Sequence, residues 1–584
     1  MNRILLALLV PAFLSAQTAD VRARKLFAEF FEEFIRLNPE AATDLGRHEY
    51  ADRWTDWSSA GLAQRERLAE KYLAQLKEIP LDRLSEPERM NAEVLRHGLE
   101  TALETQRLNL NGMMRVSQMF GAHTQVYQTI DVMPARTVTD YENIIARLNA
   151  VPAYVDQTIA LFESAAAKGL VQPHVVADLV IQQLAAQVRQ QPDTTPLLAA
   201  FRRFPPAFTK DQKDRLEQQV GAAFENSFLP AWRKLLRYMT DTYALKARAS
   251  TGLNAVPGGD ALYAFRVRVM TTTRMTPEEI HELGLKEVAR LEAEMQAAAE
   301  RTGFTGTLSE FEKNLDDDRA QHFAGKEEML VYCRNIVELV EPELPRLFKL
   351  LPRTPVGVRA IPPDREAATA SHYSAGTPDV TRAAYFNLNT YRPEKQVRYD
   401  KTALVLHEAV PGHHLQVSLE KEMPSLPEFR KVFMFGNSAY IEGWALYAES
   451  LGEEIGIYND PYNRFGRLAS ERFRAVRLVV DTGLHAKGWS REQARQYFRE
   501  HAPSESMAEI DRYIAMPAQA LAYKIGQLKI RQLRTKAEDA LGPQFDIREF
   551  HDLILRNGVL PLDLLDRFVT EHLRPAGTQN PAPR

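Results

Sequence analysis

The sequence has almost no cysteine. Cys333 is the only one in 584 residues, so no internal disulfide can form and a four-cysteine zinc site is excluded. Any bound metal must rest on His, Asp and Glu. Cys333 closes the apolar run Met329-Leu330-Val331-Tyr332-Cys333 and reads as a small buried hydrophobe. Positive charge is not in excess either. Lys and Arg number 73 against 77 Asp and Glu, a net charge of −4, so no basic field recruits nucleic acid or anionic membrane. Internal repeats and low-complexity blocks are absent. Beyond the N-terminus, no apolar run approaches the length of a membrane span.

What is present is an ordinary globular composition, 45% hydrophobic and 26% charged, on a chain too long for one core, since single cores stop growing near roughly 300 residues. Arg3 followed by the apolar stretch Ile4 to Leu14 and by Ser15-Ala16-Gln17 has the layout of a secretory signal cleaved after Ala16. As a helix that stretch rises only about 16 Å, half of a hydrocarbon core. The expectation is an exported protein, periplasmic or secreted, with no stable membrane insertion once residues 1–16 are removed. No cysteine stands beside the cleavage point to carry a lipid.

Helical periodicity dominates the rest. Residues 21–37 place Leu26, Phe27, Phe30, Phe31, Phe34 and Ile35 on one side, and similar patterns cover about 60–78, 86–110, 140–168, 210–245, 276–302 and 326–348. Thr276-Pro277-Glu278-Glu279 and Ser490-Arg491-Glu492-Gln493 are helix-start capping boxes. Strands are expected at 356–361 and 382–389. Between them, five prolines and two glycines in 352–380 predict loop with at most short strands. The turn-rich segment 250–260 predicts a seam between an N-terminal helical lobe, 20–250, and a catalytic lobe, 251–575, with 576–584 a flexible tail.

The chemistry concentrates in Leu404-Val405-Leu406-His407-Glu408-Ala409-Val410-Pro411-Gly412-His413-His414-Leu415-Gln416, which holds three of the 14 histidines. Zinc hydrolases commonly present two imidazoles four residues apart on a helix, with a Glu after the first to take a proton from water. Here the fourth position is Pro411, which cannot ligate and interrupts the helix. On an unbroken helix His413 would lie about 240° around from His407, and His414 about 10.5 Å along the axis. A two-residue bulge at Pro411-Gly412 would bring His413 to the ligand position. His413 needs the smaller distortion and is favoured; His414 stays open as the alternative ligand, a supporting residue or a substrate contact. The competing reading of the histidines is a polar loop or a helix cap.

A third ligand is expected from Tyr440-Ile441-Glu442-Gly443-Trp444-Ala445-Leu446-Tyr447-Ala448-Glu449. Acids in apolar company are rare unless paired or metal-bound. Glu442 is the candidate ligand. Glu449, two turns further on the same face, either orients a ligand imidazole or forms a surface salt bridge.

His407-Glu408-x-x-Pro411-Gly412-His413-His414-Leu415-Gln416 with Glu442-Gly443-Trp444-Ala445-Leu446-Tyr447 resembles the bacterial family catalogued as domain of unknown function 885. The resemblance extends to Thr271-Thr272-Thr273, Pro277 to Leu285, Asp481-Thr482-Gly483-Leu484-His485 and Pro517 to Gly526, so it covers most of the chain. It implies a gluzincin-type zinc metallopeptidase, a mainly α, zincin-like fold with two His ligands and a Glu from the next helix. Pro411 departs from the wider gluzincin pattern.

Weaker candidates accompany these. His281-Glu282 has no second His and reads as helix surface. His485 could stabilise an oxyanion or pair with Asp481. Tyr513 and Tyr523, beside Arg512 and Lys524, offer further donors. The strand Tyr385 to Asn389 could pair at its edge with an extended peptide. The expected function is therefore zinc-dependent hydrolysis of peptides, with Zn²⁺ on His407, His413 and Glu442 and Glu408 as general base. The alternatives are an amidase or esterase of small substrates and a non-catalytic exported helical binding protein. Oligomeric state stays open.

Overall fold

The aromatic stripe near the N-terminus decides where the first helix packs. In the computed structural model, residues 5–363, 366, 369–376, 383–432 and 437–573 are described, with side chains from Thr18 onward. The expected tail 576–584 and Arg382 lie outside them, and the expected cleavage point lies where only the backbone is described. The helices that matter below are α1 (Leu5–Leu37), α2 (Ser59–Lys77), α3 (Glu86–Arg107), α4 (Val138–Ala166), α5 (Pro277–Glu300), α6 (Lys326–Val340), α7 (Lys401–Glu408), α8 (His413–Glu422), α9 (Ser438–Leu451), α10 (Pro461–His485), α11 (Ala508–Ala515) and α12 (Ala522–Leu541). All six apolar residues of the α1 stripe are buried. Phe27 and Phe30 meet Phe429 at ring-centroid distances of 5.5 and 6.1 Å, and Phe30 meets Tyr72 edge-on at 5.2 Å. The first helix is thus anchored to the distant second half of the chain.

The core follows from this. One cluster joins residues 19–113, with Ala165 and Leu170, to residues from 253 onward, a second lies wholly within 51–247, and a third is built mostly around α5, α10 and α11. The 250–260 segment holds a short turn, Leu253–Ala255, with Leu253 buried. Both expected capping boxes are formed, Thr276 with Glu279 and Ser490 with Gln493. The long 210–245 pattern is one helical rod interrupted by π turns at Phe224–Phe228 and Met239–Tyr243.

α5 packs along α10 and α9 along α12. A buried ionic network ties three of these helices: Lys524 Nζ of α12 lies 2.6 Å from Glu471 of α10 and 2.9 Å from Glu287 of α5, and Glu471 also accepts from Arg467 and Arg290. With Gln527 Oε1 accepting at 2.8 Å as well, the three N–H donors of Lys524 are taken and none is left for a substrate, contrary to the expectation for it.

Among the described residues three strands form the sheet, β1 (Val356–Ala360), β2 (His372–Ser374) and β3 (Ala384–Leu388), in the order β1-β3-β2. β1 runs parallel to β3 and β2 antiparallel to it. Two of the strands match the expected segments; β2 falls in the segment read as loop. β3 is central, flanked on both sides, so it has no free edge for a peptide. β1 and β2 are the edge strands. β2 sits against α8, with Tyr373 Oη 3.3 Å from Ser418 Oγ. Among the described residues no helix is long and apolar enough to cross a membrane.

Candidate metal centre

The chain breaks between α7 and α8 where Pro411-Gly412 predicts it, but as two separate helices rather than one bulged helix. α7 ends at Glu408, and Ala409 to Gly412 carry non-helical backbone before α8 begins at His413. Gly412 is required here by close approach: a Cβ would lie 2.0 Å from the carbonyl oxygen of His407 and 2.4 Å from that of Leu406. The segment therefore folds back against the last turn of α7, and His413 arrives beside His407. Their rings meet edge-on with centroids 4.7 Å apart. Trp444 of α9 donates its indole N–H to the Pro411 carbonyl at 3.0 Å, fixing the break to the helix that carries Glu442.

Glu442 completes the group. Its Oε2 lies 3.5 Å from Nε2 of His407 and 3.5 Å from Nε2 of His413. Ligand atoms from the three residues all fall within 4.8 Å of one another. Two tetrahedral ligands about 2.05 Å from a zinc ion are separated by roughly 3.3 Å, close to the observed spacings. Among the described residues Glu442 Oε2 is buried without a hydrogen-bond partner, a costly arrangement unless a cation meets it. Against burial, which pushes it up, the two imidazoles hold the Glu442 carboxyl far below its usual range. His407 behaves oppositely: burial pushes it down, but Glu442, Glu449 and Glu408 together raise it to about 9. These carboxylates call for positive charge, and the residues present fit a single zinc ion.

Glu449 is at the back of the site, not on the surface. Its Oε1 lies 2.8 Å from His407 Nδ1. A carboxylate only accepts, so Nδ1 carries a proton and Nε2 is the nitrogen that faces the cluster, where a cation would take the place of its proton. Glu408, the last residue of α7, is buried and lines the same cavity as His407, His413 and Glu442. That cavity, about 2990 Å³, is walled on one side by residues near the chain start, such as Asp44, Trp57 and Gln118, and on the other by α7 to α12.

The other candidates separate cleanly. His414 points away from the cluster, with Nδ1 3.3 Å from Ser418 Oγ and 3.4 Å from Tyr373 Oη, and burial pushes it down to about 4; it is not the alternative ligand. His485 is fully buried outside the cavity, accepting from the Leu253 N–H and donating to the Tyr513 carbonyl. It cannot serve an oxyanion. Asp481 bonds Tyr263 and the Ala518 N–H instead of His485. The Tyr513 hydroxyl is likewise consumed, by Arg477 and Glu509 of the cavity wall, and Tyr513 itself does not line the cavity. Tyr523 does line the cavity, where burial, then Glu442, push its phenol up. His281, expected on a helix surface, is buried and bonds Thr482 at 2.8 Å. Among the cavity residues that the sequence reading did not single out are Arg474 and Arg477. Their signal was two arginines one turn apart inside the apolar stretch Phe473 to Val480, where unpaired charge is rarely buried.

The fold and site define a mainly helical protein with a small three-stranded sheet and a His, His, Glu cluster drawn from three helices. The chain belongs to the family of bacterial proteins of unknown function DUF885, which matches residues 39–569. Among solved structures it is similar to a chain of Colwellia psychrerythraea described as "the putative lipoprotein", with 28% identity over 95% of this chain and 99% of that one and a TM-score of 0.89. A chain of Shewanella oneidensis described as "a putative lipoprotein of unknown function" shares the fold at 19% identity, covering 93% of this chain and 99% of that one, TM-score 0.74. No curated protein matches.

Proposed function

We propose that this chain is an exported zinc-dependent peptidase of gluzincin type. One observation carries the reading: His407, His413 and Glu442, from two sides of a helix break and a third helix, converge beside Glu408 at a cavity wall. The cavity volume favours peptides over small amides. Drug-sized ligands occupy roughly 300–1,000 Å³, well below the 2990 Å³ here.

His407, His413 and Glu442 would hold the zinc ion, which would supply Lewis acidity toward a water and an amide carbonyl. The chain's own groups do the rest. Glu449 holds His407 in the tautomer that leaves Nε2 free. Glu408 takes the proton from the attacking water and passes it to the leaving nitrogen. Tyr523, neutral near pH 7 as a phenol, donates to the developing oxyanion.

Glu408→Gln is the test. The variant should keep its metal and lose hydrolysis of a peptide mixture by at least about 100-fold, the size of a general-base contribution. Undiminished hydrolysis would overturn the mechanism. A chain that neither holds metal nor cleaves peptides would instead be a binding protein.

A further inference from the structure

The wall beside the metal cluster carries guanidinium donors that, among the described residues, have no partner. Six residues of α10 line the cavity, Gly466, Ala469, Ser470, Phe473, Arg474 and Arg477, which is one helical face by its three- and four-residue spacing. Arg512, from α11, joins them. Arg474, Arg477 and Arg512 there share Glu505 and Glu509; Asp511, also in the wall, is paired with Arg491, and Glu449, 3.9 Å from Arg474, already accepts from His407.

Arg477 is buried, with 7% of its side chain exposed. Its Nε donates to Tyr513 Oη at 3.0 Å and its Nη2 to Glu509 at 2.9 Å. Among the described residues Nη1 has no partner. Leaving a buried guanidinium donor unmatched is costly, and a planar fork with one open arm suits a carboxylate. The group is also held still: its guanidinium lies 4.0 Å from the Phe473 ring centre and 4.5 Å from that of Tyr523. Arg474, one turn away, donates to the Ser470 carbonyl and approaches Glu449 at 3.9 Å, while its Nε is buried and unpartnered among the described residues.

The competing acids do not close the gap. Glu509 is already shared by Arg477, Arg512 and Tyr513. Burial pushes Glu505 up, with Arg474 and Arg477 pulling it back. Tyr523 links the two halves of the wall, since Glu442 and Arg477 both act on its phenol.

We propose that Arg477, assisted by Arg474, binds a carboxylate of the peptide substrate, either its free C-terminus or an acidic side chain, and so sets which bond reaches the metal cluster. This rests on the peptidase reading. Arg477 and Arg474 are positioning residues for substrate and take no part in bond making.

The test uses the full-length Glu408→Gln chain and three acetylated hexapeptide mixtures: one with free C-termini and no acidic side chains, its C-terminal amide, and an amidated mixture with one Glu. Binding is followed by calorimetry, with and without zinc. The free acids or the Glu-bearing amides should bind at least about tenfold more tightly than the neutral amides, and which of them gains identifies the source of the carboxylate. Arg477→Gln should erase the difference; Arg474→Gln, which touches fewer neighbours, should reduce it and serves where Arg477→Gln does not fold. In the active chain Arg474→Gln should raise KM more than it lowers kcat. Equal binding of all three mixtures, or binding of none, overturns the proposal. Because discrimination is also read without zinc, its failure is distinct from a failure to hold metal.

Discussion

Gly443 and Gly526 lie back to back where α9 crosses α12. A Cβ on Gly443 would come within 2.4 Å of Gly526 main-chain atoms, and one on Gly526 would come within 1.7 Å of the Ala439 carbonyl oxygen. This crossing places Tyr523, three residues before Gly526, next to Glu442, one residue before Gly443. Gly443→Ala or Gly526→Ala should therefore destabilise the chain by at least about 2 kcal/mol through overpacking, and should weaken metal binding by parting the two helices. Thermal unfolding and zinc titration of the variants check this; wild-type values for both would show that the crossing does not set the site.

Glu449→Gln should lower zinc affinity by about 10- to 100-fold, the usual cost of losing the carboxylate behind a ligand imidazole. Competition with a chelator of known affinity measures it. The fold should survive, since the amide oxygen still accepts from His407 Nδ1. Unaltered affinity would remove Glu449 from the account.

Lys524→Met separates two roles. With its Nζ between Glu471 and Glu287, its loss should cost about 3 kcal/mol by leaving buried carboxylates short of a partner. Denaturant unfolding gives the value. A lysine acting on substrate would instead cost turnover at unchanged stability.

Asp481 predicts a pH dependence. Burial, against hydrogen bonds from Tyr263 and the Ala518 N–H, raises its carboxyl from 3.8 to about 7. A folded-state value above the unfolded one favours the protonated form, so this contribution is present in full below about pH 4 and is lost as pH rises through about 7. Between those limits it lowers stability by up to about 1.4 kcal/mol per pH unit. Unfolding curves of Asp481→Asn should be flatter than wild type across this window; parallel curves would contradict the assignment.

Much of the candidate site could be read from spacing because its candidate ligands come from local sequence. His407 and Glu408 end one helix, Pro411 and Gly412 force the break, and the acids at 442 and 449 stand in apolar company. What spacing could not show was the form of the break, since Gly412 folding back on the His407 carbonyl is a contact between backbone segments. The weaker candidates failed for a related reason. His485 and Tyr513 have ordinary chemistry, and only packing shows that Leu253, Arg477 and Glu509 already occupy them. β2 was hidden because three residues in a proline-rich segment carry no period. The anchoring of α1 on Phe429 joins positions some 400 residues apart, which no local pattern reports. Thr272 is a similar case: its Oγ1 receives both Asn437, the cap of α9, and the Leu562 N–H, a reason for the threonine run visible only in three dimensions.

The most direct measurement is the metal content of the full-length chain, purified without chelator, by elemental mass spectrometry. The account predicts about one zinc per chain, near zero in His413→Ala and Glu442→Ala, and the wild-type value in His414→Ala. No metal in the native chain, or loss in His414→Ala with retention in His413→Ala, would contradict it.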